Sequence, residues 1–159
     1  MTITPEEDLP AIPLSVSISA ASTALIGLAL ILHGVLAPFF TVASGNQNLV
    51  ANGIINVVIG SLVVLTGYRF YKGKSRARLY SIFIALIAGV NFGAQLYSLY
   101  FANILFQLPL LTHVQVWIGM IAAVVSLGGI FWPTTGDYID AMTEIEESEK
   151  ARRRESGMR

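Results

Sequence analysis

Residues 50–101, VANGIINVVIGSLVVLTGYRFYKGKSRARLYSIFIALIAGVNFGAQLYSLYF, decide the fold, because two long apolar runs flank a short basic segment. Each run is long enough to cross a bilayer as a helix, since a crossing needs roughly 20 apolar residues at about 1.5 Å each. The segment between them holds five cationic side chains: Arg69, Lys72, Lys74, Arg76 and Arg78. We therefore predict two antiparallel transmembrane helices joined by a basic turn.

Charge is segregated in the same way along the whole chain. Of the 159 residues, 54% are hydrophobic and 13% are charged, whereas an ordinary soluble domain has about 25% charged residues. No Lys, Arg, Asp or Glu occurs from Leu9 to Tyr68 or from Leu79 to Gly136. A soluble fold would need charged positions facing water in every element, so these stretches predict a surface that meets lipid.

The pattern predicts four spans and a tail. The start, MTITPEEDLP, has no Lys or Arg, whereas a secretory signal has a basic region before its apolar core, so we expect the first apolar segment to be retained. The predicted fold is all-α, an integral membrane antiparallel four-helix bundle with a cytoplasmic C-terminal helix. Its parts are an acidic N-terminus at 1–13, spans at 14–38, 50–71, 79–101 and 114–132, and a charged tail at 133–159.

The basic turn also predicts the orientation of the bundle. The positive-inside rule places this turn in the cytoplasm. With four spans both termini are then cytoplasmic, and the basic run at the end of the tail agrees. We predict a multi-pass protein of the cell membrane. The apolar stretch from Phe101 to Leu111 is broken by Pro109 and too short to cross, so we expect it along the outer interface.

Small residues recur at regular spacing in the predicted spans. The second span has Gly53, Gly60 and Gly67, and the first has Ala20, Gly27 and Gly34. A seven-residue period keeps small residues on one helix face, where they allow helices in lipid to pack closely. The third span has Ala85, Gly89 and Gly93 at a spacing of four. These stripes predict a compact bundle, with the alternative that some of them face another subunit.

Polar side chains within the predicted spans are the candidate functional residues. With the predicted orientation they concentrate in the outer half of the membrane, where amides and imidazoles are costly unless they are paired. Three interpretations stay open: a hydrogen-bond network between helices, an outward-facing site for a small neutral or lipidic ligand, and a haem b held by His33 and His113. The residues are His33, Asn52, Asn56, Asn91, Gln95, His113 and Gln115.

The sequence lacks the residues that most catalytic and metal sites need. It has no cysteine, and the predicted spans have no Asp or Glu for acid–base chemistry. No GxSxG, HExxH or P-loop motif occurs. Two histidines without acids or thiols leave zinc or copper coordination incomplete, and the net charge of zero makes nucleic acid an unexpected partner. The sequence does not favour an enzyme, and it predicts no metal site.

The tail has a water-soluble character after Pro133. Thr135 or Asp137 could cap a helix that begins near Tyr138, with one apolar stripe formed by Ile139, Met142 and Ile145. Three interpretations are a solvated helix, a docking helix for a cytoplasmic partner, and a basic tip attracted to anionic lipid.

The stretch NGIINVVIGSLVVLTGYRFYKGKSRARLYSIFIALIAG, residues 52–89, resembles the middle of small bacterial four-helix membrane proteins, the DoxX-like and related groups. The shared elements are a span with Asn and Gly, a short basic turn with Gly73, and Arg-Ala-Arg opening the next span. The resemblance covers about a quarter of the chain. It implies a four-span bundle and an association with membrane oxidoreductases, and it assigns no catalytic residue.

Together these features predict an accessory or structural subunit of a larger membrane complex. It would pack through its small-residue faces and its charged tail. The expected partners are membrane lipids and other membrane subunits or a second copy of the chain, with a cytoplasmic partner possible at the tail. An outward-facing binding or transport protein for a small molecule or lipid is the alternative.

Overall fold

The chain is all-α in the residues that the structure, a computed structural model, describes: 9–44, 48–101 and 110–157. Side chains are described for residues 9–36, 51–97, 114–154 and 157. Three helices are long and apolar enough to cross a membrane, and four if the bent α4–α5 pair counts as one span, which indicates a multi-pass membrane protein. The helices are α1 Leu14–Ser44, α2 Asn48–Tyr71, α3 Ser75–Phe101, α4 Leu110–Ile130 and α5 Pro133–Gly157.

A tight turn joins α2 to α3. Lys74 N–H donates to the Arg69 carbonyl at 3.1 Å, and Gly73 N–H donates to the Phe70 carbonyl at 2.9 Å. Together with a φ of 72° at Gly73, these two bonds form a Schellman motif, which closes the end of a helix. Because the motif needs so few residues, α3 begins at Ser75. The prediction of a start at residue 79 was therefore wrong, and the last cations of the basic segment lie in the first turn of α3.

Helices α1 and α2 approach each other at their glycines. A Cβ atom added to Gly27 would lie 2.6 Å from the Gly60 carbonyl oxygen, and one added to Gly60 would lie 2.6 Å from the Gly27 carbonyl oxygen. Gly34 meets the Gly53 carbonyl oxygen in the same way. The seven-residue stripes predicted for these two helices therefore pack against each other, backbone to backbone. In contrast, a Cβ at Gly93 of α3 would meet nothing within 4 Å.

The buried polar side chains of the bundle are hydroxyls. Thr23 of α1 and Ser126 of α4 lie 2.9 Å apart as a buried hydrogen-bonded pair. In membrane proteins such interhelical bonds contribute about 0.6 kcal/mol on average. The other buried polar residues of the described chain are Ser19, Ser22, Ser81 and Thr135. The fully buried polar side chains of the described residues are thus hydroxyls rather than the amides and imidazoles that the sequence singled out.

Helix α5 packs its first turns against the bundle. It begins at Pro133 rather than near Tyr138 as predicted, since proline suits the first position of a helix. A hydrogen bond of 2.7 Å joins Thr135 Oγ1 to the Gly129 carbonyl oxygen across the bend of 65° between α4 and α5. Tyr138 and Ile139 are buried. The first half of the tail is therefore part of the packed fold, and its last turns are exposed.

Candidate functional site

The face of α2 toward α3 changes from buried to exposed along its length. Phe70, Val63 and Asn56 follow one another at seven-residue spacing, and Asn52 lies one turn beyond Asn56. Phe70 and Val63 are buried, Asn56 is half-buried and Asn52 is exposed. Helix α2 is therefore covered near the basic turn and open at the other end.

Helix α3 has the matching pattern. Ala77, Ser81 and Ala88 are buried, and so is Phe92 one turn further along. The adjacent residues Asn91 and Gln95 are exposed. Helix α2 packs closely on α1 and only loosely on α3. The burial of these positions thus decreases toward the end of each helix away from the turn.

Four carboxamides lie at this end of the two helices, at two levels. Asn56 precedes Gly73 by 17 residues and Asn91 follows it by 18. At about 1.5 Å per residue, both lie roughly 25 Å from the turn. Asn52 and Gln95 form the next level by the same reasoning. We call the group Asn52, Asn56, Asn91 and Gln95 the amide cleft.

The amides of the cleft are only partly satisfied by one another. Gln95 Nε2 donates a hydrogen bond of 2.6 Å to Asn91 Oδ1. A carboxamide has two N–H donors and an oxygen with two lone pairs, so this bond leaves the Asn91 amino group and the Gln95 oxygen available. An exposed amide at the depth of the hydrocarbon core is costly unless it has a partner. The cleft therefore has unused hydrogen-bonding capacity directed away from the bundle.

The other polar residues predicted for the site do not join the cleft. His33 is exposed on α1, and the side chain of His113 lies outside the described side chains. Gln115 of α4 donates from Nε2 to the Ala29 carbonyl at 3.5 Å, beside an apolar groove of about 230 Å³ between α1 and α4. The structure thus joins Asn91 to Gln95 by a hydrogen bond and leaves the haem interpretation a prediction.

The cations of the basic segment have different surroundings. Arg78 donates from Nη2 to the Ile130 carbonyl at 3.3 Å, which links α3 to the end of α4. Lys72 Nζ lies 5.8 Å from the centre of the Tyr68 ring. Lys74 Nζ lies 2.8 Å from Glu146 Oε2, so an ion pair joins the turn to α5. The last two cations, Arg69 and Arg76, are exposed.

The ion pairs of Glu146 change the pKa of its carboxyl group. Hydrogen bonds from Lys150 and from Lys74 lower the pKa of Glu146 from 4.5 to about 2. Because this pKa is lowered in the folded state, the ion pairs stabilise the folded chain above the unfolded value, and that contribution is lost as the pH falls through about 2. Only the pair with Lys74 joins α5 to the turn. The stabilisation is small, since both side chains are exposed and salt screens them.

We expect Lys74→Gln to raise the pKa of Glu146 toward its ordinary value. The pKa is read from a carbon-13 NMR titration of labelled glutamate carboxyls in micelles. Lys72→Gln is the matched control, since it removes the same charge from the turn without removing a contact of Glu146. Equal shifts in both variants would show that the net charge of the turn, not the contact, sets the pKa.

No group of three or more His, Cys, Asp or Glu residues that could hold a metal ion occurs in the described part of the chain. Among the described residues, the candidate site consists of amides, a separate apolar groove and cations. No family model, curated protein or solved structure matches this chain, so the resemblance to the DoxX-like proteins stays a prediction from the sequence.

Proposed function

We propose that this chain is an accessory subunit of a larger membrane complex and that the amide cleft is its contact with another subunit. The observation that carries this proposal is the placement of Asn91 and Gln95, which are exposed on the surface of α3 instead of buried between helices. In lipid their free donors and acceptors need a partner. A polar side chain on a neighbouring transmembrane helix meets this need.

The proposed orientation follows from the basic turn. Its cations place that end of the bundle in the cytoplasm by the positive-inside rule. With α4 as a fourth span, both termini are cytoplasmic and the amide cleft lies in the outer half of the membrane. The occupant of the cleft is then a membrane helix that carries a hydrogen-bonding residue at that depth.

The proposal is tested by site-specific crosslinking in native membranes. Because the chain has no cysteine, Val90→Cys introduces a single thiol on the exposed face of α3, next to Asn91. We expect a crosslink to one partner protein, identified by mass spectrometry, at a constant ratio. Asn91→Leu with Gln95→Leu in the same chain should abolish the crosslink without changing the membrane level of the chain.

The matched control is Gln115→Leu, which removes an amide whose hydrogen bond is made inside the bundle. The crosslink should persist in this variant. A chain that is extracted in mild detergent as a lone monomer, with no crosslink from residue 90, would contradict the proposal. A crosslink only to a second copy would replace it with self-association.

A second candidate function rests on the apolar groove between α1 and α4. Leu25, Leu28, Leu32, Val114 and Ile118 line it, with Gln115 as its polar residue. A volume of about 230 Å³ fits part of an acyl chain, so this groove favours the binding of a lipidic ligand. Ala29→Phe, which fills the groove, should then displace a lipid that co-purifies with the wild-type chain, as measured by native mass spectrometry.

A further inference from the structure

A second opening lies at the basic end of the bundle, away from the amide cleft. It is a pocket of about 470 Å³ where α2 ends and α3 begins. Three cations surround it, together with a hydroxyl, a phenol and one methyl group. The lining residues are Thr66, Arg69, Lys74, Arg76, Ala77 and Tyr80.

Only one of the three cations of this pocket has a carboxylate partner among the described residues. Glu146 is bonded to Lys74 and is shared with Lys150. Arg69 and Arg76 form no ion pair with any carboxylate that the structure describes. Two guanidinium groups therefore face an open, positively charged space. Such a space attracts anions, since an arginine binds phosphate oxygens with two parallel hydrogen bonds.

The backbone at the start of α3 also favours an anion in this pocket. Arg76 lies in the first turn of α3, where the helix dipole favours negative charge. The hydroxyl of Thr66 donates to the Leu62 carbonyl at 2.8 Å, and Tyr80 is exposed at the rim. A phosphate in the pocket would thus meet donors from α2, from the turn and from α3.

We propose that this pocket binds the phosphate group of an anionic phospholipid. The pocket lies where two long apolar helices meet a charged turn, which is the level of the lipid head groups in a membrane. Its apolar flanks, the bodies of α2 and α3, would contact the acyl chains of the same lipid. The proposal needs only that the chain spans the membrane, and it is independent of the proposed partner at the amide cleft.

The proposal is tested with the purified full-length chain in detergent by native mass spectrometry. The probes are phosphatidylglycerol, phosphatidylcholine and inorganic phosphate. We expect phosphatidylglycerol to bind with higher affinity than phosphatidylcholine. Arg69→Gln with Arg76→Gln should weaken phosphatidylglycerol binding by at least about tenfold, in line with the loss of two charge-assisted hydrogen bonds.

The matched control is Arg152→Gln with Arg154→Gln, which removes the same charge from the exposed end of α5. This control should change the affinity by less than about twofold. Equal losses of affinity for phosphatidylglycerol in the two double variants would overturn the proposal, because they would show that net charge alone attracts the lipid. Competition by inorganic phosphate as effective as by the lipid would assign a small-anion site instead of a lipid site.

A further variant tests the pocket without a change in charge. Tyr80→Phe keeps every cation but removes the exposed phenol hydroxyl from the rim. Thr66 is left unchanged, because its hydroxyl already donates its proton to the Leu62 carbonyl. We expect phosphatidylglycerol binding to weaken about threefold, the cost of a modest hydrogen bond. Unchanged binding in a variant with the wild-type melting temperature would count against a shaped site.

Discussion

Gly60→Leu is expected to lower the free energy of unfolding by about 3 kcal/mol, the upper end of the usual cost of overpacking a well-packed core. The first atom of the new side chain would lie 2.6 Å from the Gly27 carbonyl oxygen and 2.8 Å from a side-chain carbon of Ile31. The carbonyl belongs to the backbone, so no rotamer change can relieve the contact. Helices α1 and α2 have to separate, and their other close contacts weaken with them.

The measurement is the unfolding midpoint in a titration of mild-detergent micelles with dodecyl sulfate, followed by tryptophan fluorescence. Gly128→Leu is the matched control, because a Cβ at Gly128 would meet nothing within 4 Å. Gly27→Ala and Gly60→Ala should each destabilise the protein, and their effects should not add, since one separation of the helices relieves both. Equal midpoints for Gly60→Leu and Gly128→Leu would contradict the close packing of α1 on α2.

Gly73→Val is expected to release α5 from the bundle and to destabilise the basic end by about 3 kcal/mol. Two costs combine, each of order 1–3 kcal/mol: a branched residue in the left-handed region, and overpacking. The φ of Gly73 is 72°, and a Cβ there would lie 2.6 Å from Met142 Cγ and 2.8 Å from Met142 Cβ. The turn would have to change conformation or α5 would have to move away.

Hydrogen exchange of the α5 amides between residues 138 and 146 measures the release. Comparing Gly73→Ala with Gly73→Ala combined with Met142→Ala measures part of the steric cost, because alanine removes the contact with Met142 Cγ and keeps the one with Cβ. Gly136→Ala is the control, since its Cβ would approach only Arg78 Nη1, at 3.9 Å. Wild-type protection of α5 in Gly73→Val would show that the turn does not hold the tail.

The sequence predicted the all-α fold and the small-residue stripes of α1 and α2 because both depend on periodicity. The glycines lie seven residues apart within each helix, so they share one face: Gly27 and Gly34 in α1, Gly53 and Gly60 in α2. Only small residues allow two backbones to touch. The basic turn was also predicted from the sequence, since charged residues mark the end of a span. The start of α3 was placed four residues late because a Schellman motif closes the helix end with hydrogen bonds that charge does not reveal.

The face on which the amides lie could not be predicted from their spacing. Asn91 and Gln95 share one helix face whether that face points into the bundle or out of it. In a soluble protein the contrast between an apolar and a charged face would show which face is buried. Both faces of α3 are apolar, so this contrast is missing. The buried pair of Thr23 and Ser126 was missed for a related reason, since hydroxyls occur throughout α1 and can bond within their own helix.

The contacts of α5 have a consequence for the order in which the protein is assembled during synthesis. Ser15, near the start of α1, lies 3.0 Å from Thr134 Oγ1 and 2.8 Å from Thr135 Oγ1, and Val16 shares a buried cluster with Ile139. The ribosome adds Ser15 to the chain 119 residues before Thr134. The cluster at the basic end therefore stays incomplete until α5 has been translated, and a chain terminated before Pro133 would expose buried residues at the edge of the membrane.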